Sequence, residues 1–350
     1  MSDASTTRRT VAAAMITAAA AVALVGATGL GAGIAPASAA ALARQRPITS
    51  QDVSSGQPIA VAPALPLSVV APAQQQPITV QDILSGEPLP ADARVRFGDD
   101  PANFGDLRLP VGEGPHPVAI LIHGGCWLDI ADLQYFDRVA VAITEMGVAT
   151  WNIEYRPADV EGGGWPNTFL DVARGVDHLR VLAGEYPLDL ERVITVGHSA
   201  GGHLALWAAG RPRIPTSSEL YAADPLLIVG VVSLAGIPEL RRYREMDPPT
   251  CGEGTVDLLM GGGPREVPDR YRAGSPFQML PLNVAQRHIT GRNDEIVPRE
   301  QVSPYNYESQ SAGDNSHTIF VPDAGHYEVV WPASAAWEAV EAAIRELLGL

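Results

Sequence analysis

The chain has 350 residues, a formal net charge of −16 at pH 7 and an apolar fraction of 46%, which is enough for a large core. All 24 basic residues are arginine, which excludes a Walker lysine, a Schiff-base lysine and a Ser-Lys dyad. The negative charge argues against nucleic acid as a partner, because its phosphates would be repelled.

The first 39 residues have the organisation of a secretory signal peptide. Arg8 and Arg9 precede an alanine-rich stretch at 11–34, and residues 37–39 match the small-x-small cleavage pattern. The stretch is long enough for a membrane anchor, but its alanines and glycines make it only weakly apolar, which favours cleavage. We therefore expect a periplasmic or extracellular protein with no stable membrane span after cleavage.

Residues 40–90 are rich in proline, alanine and glutamine and predict a linker. Within it, residues 48–58 are echoed by residues 78–88 at an offset of 30 positions. Two copies are too few for a solenoid, so they indicate a local duplication. The second copy, with Ile83 and Leu84, is expected to dock as a short helix, whereas the first, with Ser54 in place of Leu84, is expected to stay loose.

Residues 91–350 predict a single α/β domain. Strands at 93–97 and 103–109 are expected to pair antiparallel at one edge of a sheet. The remaining predicted strands lie at 118–122, 148–155, 193–196, 227–234, 287–291 and 318–321, and the predicted helices at 136–146, 169–186, 202–210 and 337–348. This alternation implies a mostly parallel, doubly wound sheet of about eight strands, with functional residues at the carboxyl ends of the strands.

One segment, 236–285, interrupts the alternation. Its prolines and the Gly261–Pro264 run predict an irregular insertion. We interpret it as a small cap that shapes the acyl or alcohol pocket.

The strongest chemical signal is Gly-His-Ser-Ala-Gly at 197–201. A β-branched run precedes it and an apolar, helix-like stretch follows, so the pattern is strand, sharp turn and helix. Small residues at the flanking positions let strand and helix approach each other. Ser199 is therefore the predicted nucleophile; the alternative interpretation is a glycine-rich turn with a capping serine.

A serine hydroxyl needs a base, and His326, after the last predicted strand, is the expected one. The other histidines fit less well: His198 and His203 are directed elsewhere by the turn, His116 and His178 are expected to be exposed, His123 belongs to a glycine loop, His288 lies within a strand and His317 precedes one.

The imidazole in turn needs a carboxylate that fixes its tautomer. Asp294 follows a predicted strand and lies 32 residues before His326. Glu295 and Asp323 are the alternatives.

The loop His123-Gly-Gly-Cys-Trp127 is predicted to supply donors to an oxyanion. We expect the N–H groups of Gly125 and Cys126 to act together with that of Ala200, the residue after the nucleophile. Trp127, Tyr155 and Trp165 are predicted to line the cleft, with core packing as the alternative for each.

The chain has two cysteines, Cys126 and Cys251, too few for a zinc site by themselves. Export allows a disulfide between them, which would tie the cap to the glycine loop; two buried thiols are the alternative.

These residues resemble the α/β-hydrolase superfamily, and within it the esterase branch with a His-Gly-Gly-x-Trp loop. That branch includes carboxylesterases, feruloyl-esterase-like hydrolases and kynurenine-formamidase-like enzymes. The resemblance covers about 92–350, and the order Ser…Asp…His is that of the superfamily. It implies Ser199 as nucleophile, Asp294 as acid, His326 as base, and Gly125, Cys126 and Ala200 as oxyanion donors.

The leading hypothesis is a secreted serine hydrolase that cleaves small carboxylic esters through an acyl-enzyme, without a metal or organic cofactor. One alternative keeps the triad and changes the bond, to an arylformamide or a small amide or peptide. The other is a non-catalytic binding protein on a hydrolase scaffold, which would normally have lost a triad member. No oligomeric state is predicted.

Overall fold

The computed structural model describes residues 77–246 and 250–350. The predicted signal peptide, most of the predicted linker and the first copy of the duplicated segment lie outside the described residues. Among the helices that are described, none combines the length and the apolar character needed to cross a membrane.

The described residues form a sheet of eight strands in the order β1-β2-β4-β3-β5-β6-β7-β8. Strands β1 and β2 are antiparallel at one edge, as expected, and every pairing from β4 to β8 is parallel. The predicted doubly wound fold is thereby confirmed. The strands are β1 Ala93–Arg96, β2 Phe104–Arg108, β3 His116–Ile122, β4 Ala149–Ile153, β5 Leu188–His198, β6 Gly230–Leu234, β7 Ala285–Gly291 and β8 Ser316–Val321.

The helices cover both faces of this sheet, and each face has its own apolar cluster. Because the central strands are covered on both sides, β3, β4 and β6 are buried along their whole length. The helices of the described residues are α1 Val80–Leu84, α2 Asp137–Glu145, α3 Asn167–Asp177, α4 Leu179–Leu182, α5 Ala200–Gly210, α6 Leu240–Arg244, α7 Thr255–Met260, α8 Pro268–Gly274, α9 Pro276–Met279, α10 Arg299–Ser311 and α11 Trp337–Leu348.

The observed elements differ from the predictions in three details, two of them wrong predictions and one an omission. The helix expected at 169–186 is divided into α3 and α4. Helix α10 was not predicted, because its buried face is largely polar: Tyr305 donates to Gln286 and Ser309 donates to Asp314. His116 lies in β3 and is buried, where exposure was expected.

The insertion after β6 is helical where it was expected to be irregular. It contains α6 to α9, each of four to seven residues, which is too short for a helical period to show in the sequence. Arg244 pairs with Asp257 between α6 and α7. Thr250 donates to the carbonyl of Ile296 at 2.9 Å, so the insertion contacts the loop after β7.

Three fully buried histidines predict that the protein loses stability in acid. Burial lowers the pKa of His203 to about 4, that of His288 to about 3, and that of His198 well below the ordinary 6.5. Between pH 6.5 and 4 the unfolded chain therefore binds protons that the folded chain does not. Each such group contributes about 1.4 kcal/mol per pH unit, so the free energy of unfolding should fall by up to about 4 kcal/mol per unit.

Urea titrations at pH 7, 6, 5 and 4.5 measure this slope. The matched variant is His288→Gln, on β7 and outside the candidate triad, which should reduce the slope by about a third. A slope that is unchanged in His288→Gln would contradict the assignment of that histidine.

Candidate active site

Ser199 occupies a strained turn between β5 and α5. Its φ of 56° and ψ of −119° place it outside the helical region, at a cost of roughly 1–3 kcal/mol. A Cβ at Gly197 would overlap the carbonyl of Gly201 across the turn, so the flanking position must be glycine. The conformation brings the serine to the carboxyl end of the sheet, as the sequence predicts.

Backbone hydrogen bonds fix this turn to the neighbouring strand. The Ser199 N–H donates to the Leu234 carbonyl at 2.9 Å, and the Ser199 carbonyl accepts from Ile237 and His203. The strained conformation is therefore held by the end of β6 and by the first turn of α5.

His326 and Asp294 meet at the same edge of the sheet. The Nδ1 of His326 lies 2.8 Å from Oδ2 of Asp294, and both side chains are buried. The other oxygen of Asp294 accepts from the N–H groups of Ile296 and Val297 at 2.9 and 2.8 Å. Because a carboxylate only accepts, Nδ1 carries the hydrogen and Nε2 is left with a lone pair, the tautomer that a general base needs.

The alternative acids do not lie in this arrangement. Glu295 and Asp323 are both exposed, whereas Asp294 is 5% exposed.

Two further side chains support His326, and the sequence did not predict their part. The Nε2 of His198 lies 2.9 Å from the carbonyl oxygen of His326, and its Nδ1 lies 2.7 Å from the hydroxyl of Tyr135. Since the carbonyl only accepts, Nε2 of His198 donates, and Nδ1 accepts from Tyr135. Burial, reinforced by the neighbouring His326, lowers the pKa of His198 well below its usual range, so this histidine is neutral.

No sequence signal could have identified this chain of hydrogen bonds. Tyr135 is 63 residues from His198 and belongs to a single 3-10 turn, Leu133–Phe136, that carries no motif.

The glycine loop lies directly against the nucleophile. A Cβ on Gly124 would stand 3.4 Å from Cβ of Ser199. Gly125, Cys126 and Trp127 all have positive φ, of 111°, 56° and 58°. Within the described residues, no acceptor is bonded to the N–H of Gly125, Cys126 or Ala200, so these donors are available to a ligand.

A buried ion pair holds the base of this loop. The Nε2 of His123 lies 2.9 Å from Oε1 of Glu154, and the other carboxylate oxygen accepts from the Leu133 N–H. Burial alone would lower the pKa of His123, but the charge and hydrogen bond of Glu154 outweigh it and raise the pKa. Tyr155 stacks on His123 and donates to its carbonyl at 3.0 Å.

The aromatic residues predicted to line the cleft lie elsewhere. Trp127 is completely buried and donates from its indole to Nδ1 of His203, and Tyr155 is 1% exposed. For these two the prediction of substrate contact was wrong, because both complete the core beneath the glycine loop. Trp165 is half-buried and donates to Glu219, and its contact with substrate stays a prediction.

The structure joins Cys126 to Cys251 by a disulfide. Cys126 belongs to the glycine loop, and Cys251 lies in the insertion beside the hydroxyl of Tyr243. The cap and the loop that presents free amides are therefore connected covalently.

Removing this disulfide should lower both stability and turnover. The disulfide closes a loop of 125 residues. Its removal should lower the free energy of unfolding by about 2–5 kcal/mol, which corresponds to about 5–10 °C in Tm. We expect kcat for ester hydrolysis to fall about tenfold or more with little change in KM, because the amide of Cys126 loses its orientation. Thermal unfolding and steady-state kinetics of the Cys126→Ser/Cys251→Ser variant measure both effects; an unchanged kcat would contradict a positioning role.

Comparison with known proteins relates the chain to ester hydrolases. The BD-FAE family model matches residues 106–306. The esterase LipC of Mycobacterium tuberculosis (strain ATCC 25618 / H37Rv) is 27% identical over 247 residues, which cover 67% of this chain and 59% of LipC. The chain thus spans little more than half of that relative.

Solved structures share the fold at lower identity. A truncated carbohydrate esterase from gut microbiota superimposes with a TM-score of 0.62 at 21% identity, over 73% of this chain and 95% of that one. Esterase 2 of Thermogutta terrifontis gives a TM-score of 0.60 at 16% identity, over 74% and 92% of the two chains.

Proposed function

Because this chain belongs to the BD-FAE family, we propose that it hydrolyses carboxylic esters with Ser199 as nucleophile. The observation that carries the proposal is the buried Asp294–His326 pair, 2.8 Å apart, at the sheet edge that holds the strained serine and the free loop amides. The esterases among its relatives support the same reaction class.

The geometry assigns each residue one part of the reaction. His326 Nε2 takes the hydroxyl proton of Ser199, and the serine oxygen attacks the ester carbonyl. The N–H groups of Gly125, Cys126 and Ala200 stabilise the oxyanion, and each lowers the activation free energy by on the order of 3 kcal/mol. His326 then donates the proton to the leaving alcohol, which leaves an acyl group on Ser199.

Water completes the cycle by the same route. His326 takes a proton from water, the resulting hydroxide attacks the acyl carbonyl, and Ser199 leaves with the proton returned by His326. Asp294 stabilises the imidazolium formed in both halves of the cycle.

Export of the mature chain is part of the proposal. The charged start, apolar stretch and small-residue site at 37–39 support cleavage by a signal peptidase. The Cys126–Cys251 disulfide is in keeping with an oxidising compartment.

A substrate panel tests the bond that is cleaved. We expect kcat/KM for p-nitrophenyl acetate and butyrate to exceed that for N-formylkynurenine and for aminoacyl anilides by at least about a hundredfold. Faster turnover of the formamide or the anilides would replace the ester assignment with an amidase one. No turnover of any of these substrates, together with no labelling by a fluorophosphonate, would indicate a binding protein.

A further inference from the structure

The second copy of the duplicated segment is bound to the domain. Thr79 caps α1 with its hydroxyl, and Asp82 accepts in return from the Thr79 N–H at 2.8 Å. Ile83 is 5% exposed and shares a core cluster with Tyr135 and Phe136, whereas Leu84 is 46% exposed. Ile83 is therefore the buried apolar anchor of the helix, and the partly buried Ile78 packs against the same cluster.

Two charged side chains of the domain bind the backbone of this segment. Arg138 donates to the carbonyl oxygens of Asp82, Ile83 and Ser85 at 3.5, 3.4 and 3.1 Å, with its guanidinium over the ring of Trp331. Glu328 accepts from the Ile78 N–H at 2.8 Å. Backbone contacts of this kind are open to any sequence that adopts the same conformation.

The first copy retains the positions that docking uses. Val53 stands where the second copy has the anchor Ile83. The three other positions that change are half-buried or exposed in the bound copy: Ser50 for Val80, Ser54 for Leu84 and Gln57 for Glu87. The identical positions are Ile48 and Ile78, Thr49 and Thr79, Gln51 and Gln81, Asp52 and Asp82, Ser55 and Ser85, Gly56 and Gly86, and Pro58 and Pro88.

We propose that the surface formed by Arg138, Glu328 and the Tyr135 turn is a binding site for this motif, and that residues 48–58 of the same chain are its second ligand. Because Leu84 is exposed, Ser54 at the matching position does not prevent docking. The inference goes beyond ester hydrolysis and does not depend on it.

The second copy holds the site because it is attached more closely. Two residues separate it from Ala91, against 32 for the first copy. For a polymer chain, the penalty of closing the longer loop disfavours the first copy on the order of 60-fold. Valine in place of isoleucine weakens docking by a further factor of roughly two to ten.

The docking surface lies close in the chain to His326. The second carboxylate oxygen of Glu328 accepts from the N–H of Gly325, the residue before His326, at 2.8 Å. Residues 83–89 also form one wall of a cavity of about 520 Å³ opposite residues 129–138. With the first copy docked, Ser54 and Gln57 would replace Leu84 and Glu87 in that wall, making it more polar and less acidic.

Hydrogen–deuterium exchange of the full chain with Ile83→Asp tests the proposal. A carboxylate in the apolar site weakens docking of the second copy more than a thousandfold, enough to reverse the preference. We expect amide protection to be lost at 78–88 and to appear at 48–58, relative to wild type. The protection at 48–58 should be absent from the Ile83→Asp/Val53→Asp variant and independent of protein concentration.

Three results would overturn the proposal. The first is unchanged exchange at 48–58 when 78–88 loses protection, and the second is retained protection at 78–88. The third is protection at 48–58 that depends on protein concentration, because the ligand would then belong to another molecule. If Ile83→Asp unfolds the domain, the Ile83→Ala variant replaces it in the same hydrogen–deuterium exchange experiment.

A fluorescent peptide of residues 46–60 tests the surface without the tether. It should bind the double variant saturably and bind wild type more weakly, because there the second copy occupies the site. The same peptide with aspartate at position 53 is the control. Equal binding of both peptides to the double variant would show that the anchor pocket is not used.

Discussion

Ser199→Ala is expected to lower kcat for p-nitrophenyl acetate by about 10⁵-fold while KM changes little. The substitution removes the only oxygen that can form the acyl-enzyme, and the loop amides that remain account for residual catalysis of about 10³–10⁴-fold over water. The φ of 56° is equally strained for serine and alanine, so the fold should be unaffected. Steady-state kinetics and thermal unfolding of the variant measure the two properties together.

Ser233→Ala is the matched control for this substitution. Ser233 is a second buried serine, on β6 beside the turn, and its hydroxyl makes no hydrogen bond in the described structure. The kcat of the Ser233→Ala variant should stay within about threefold of the wild-type value. A similar loss in both variants would mean that packing around the turn, and not the Ser199 hydroxyl, is being measured.

Asp294→Asn is expected to lower kcat by about 10⁴-fold. The asparagine oxygen can still accept from Ile296 and Val297, so the loop keeps its shape. Its amide group, however, presents hydrogens to Nδ1 of His326, which then has to accept. That tautomer places the hydrogen on Nε2, where the proton of Ser199 must go.

Glu295→Gln and Asp323→Asn are the controls for the acid. Both side chains are exposed, and we expect less than a threefold change in kcat for either. A large loss in Glu295→Gln with a small one in Asp294→Asn would move the acid by one residue and contradict the mechanism.

Those residues of the candidate site that belong to local motifs could be predicted from the sequence. Ser199, Asp294 and His326 each follow a strand that the alternation reveals, and parallel strands end at one edge of a sheet. The structure pairs Asp294 with His326 at 2.8 Å, and Ser199 follows β5, whose carboxyl end lies at the same edge. Local pattern and topology were sufficient to predict the acid–histidine pair and the edge of the sheet at which it lies; the role of Ser199 stays a prediction.

The surroundings of the site could not be predicted, because they depend on long-range packing. Nothing in the sequence near Trp127 or Tyr155 separates a residue that lines a cleft from one that is buried beneath it. The contact of Tyr135 with His198 joins positions that only the complete fold brings together. The short helices of the cap and the polar face of α10 escape detection because neither has an apolar period.

The duplicated segment has one feature that could be predicted from the sequence and one that could not. The sequence predicted that the second copy docks with Ile83 and Leu84, and the structure shows that it does dock, with Ile83 buried and Leu84 exposed. Which of two adjacent apolar residues faces the domain depends on the direction of a five-residue helix, and one turn is too short to define an apolar face.

Peptide mapping after reaction with a fluorophosphonate tests the central claim most directly. We expect one phosphonyl group per chain, located by tandem mass spectrometry on Ser199, with loss of ester hydrolysis in proportion to labelling. Modification at a different residue, or full labelling with undiminished hydrolysis, would contradict the assignment of Ser199 as the nucleophile.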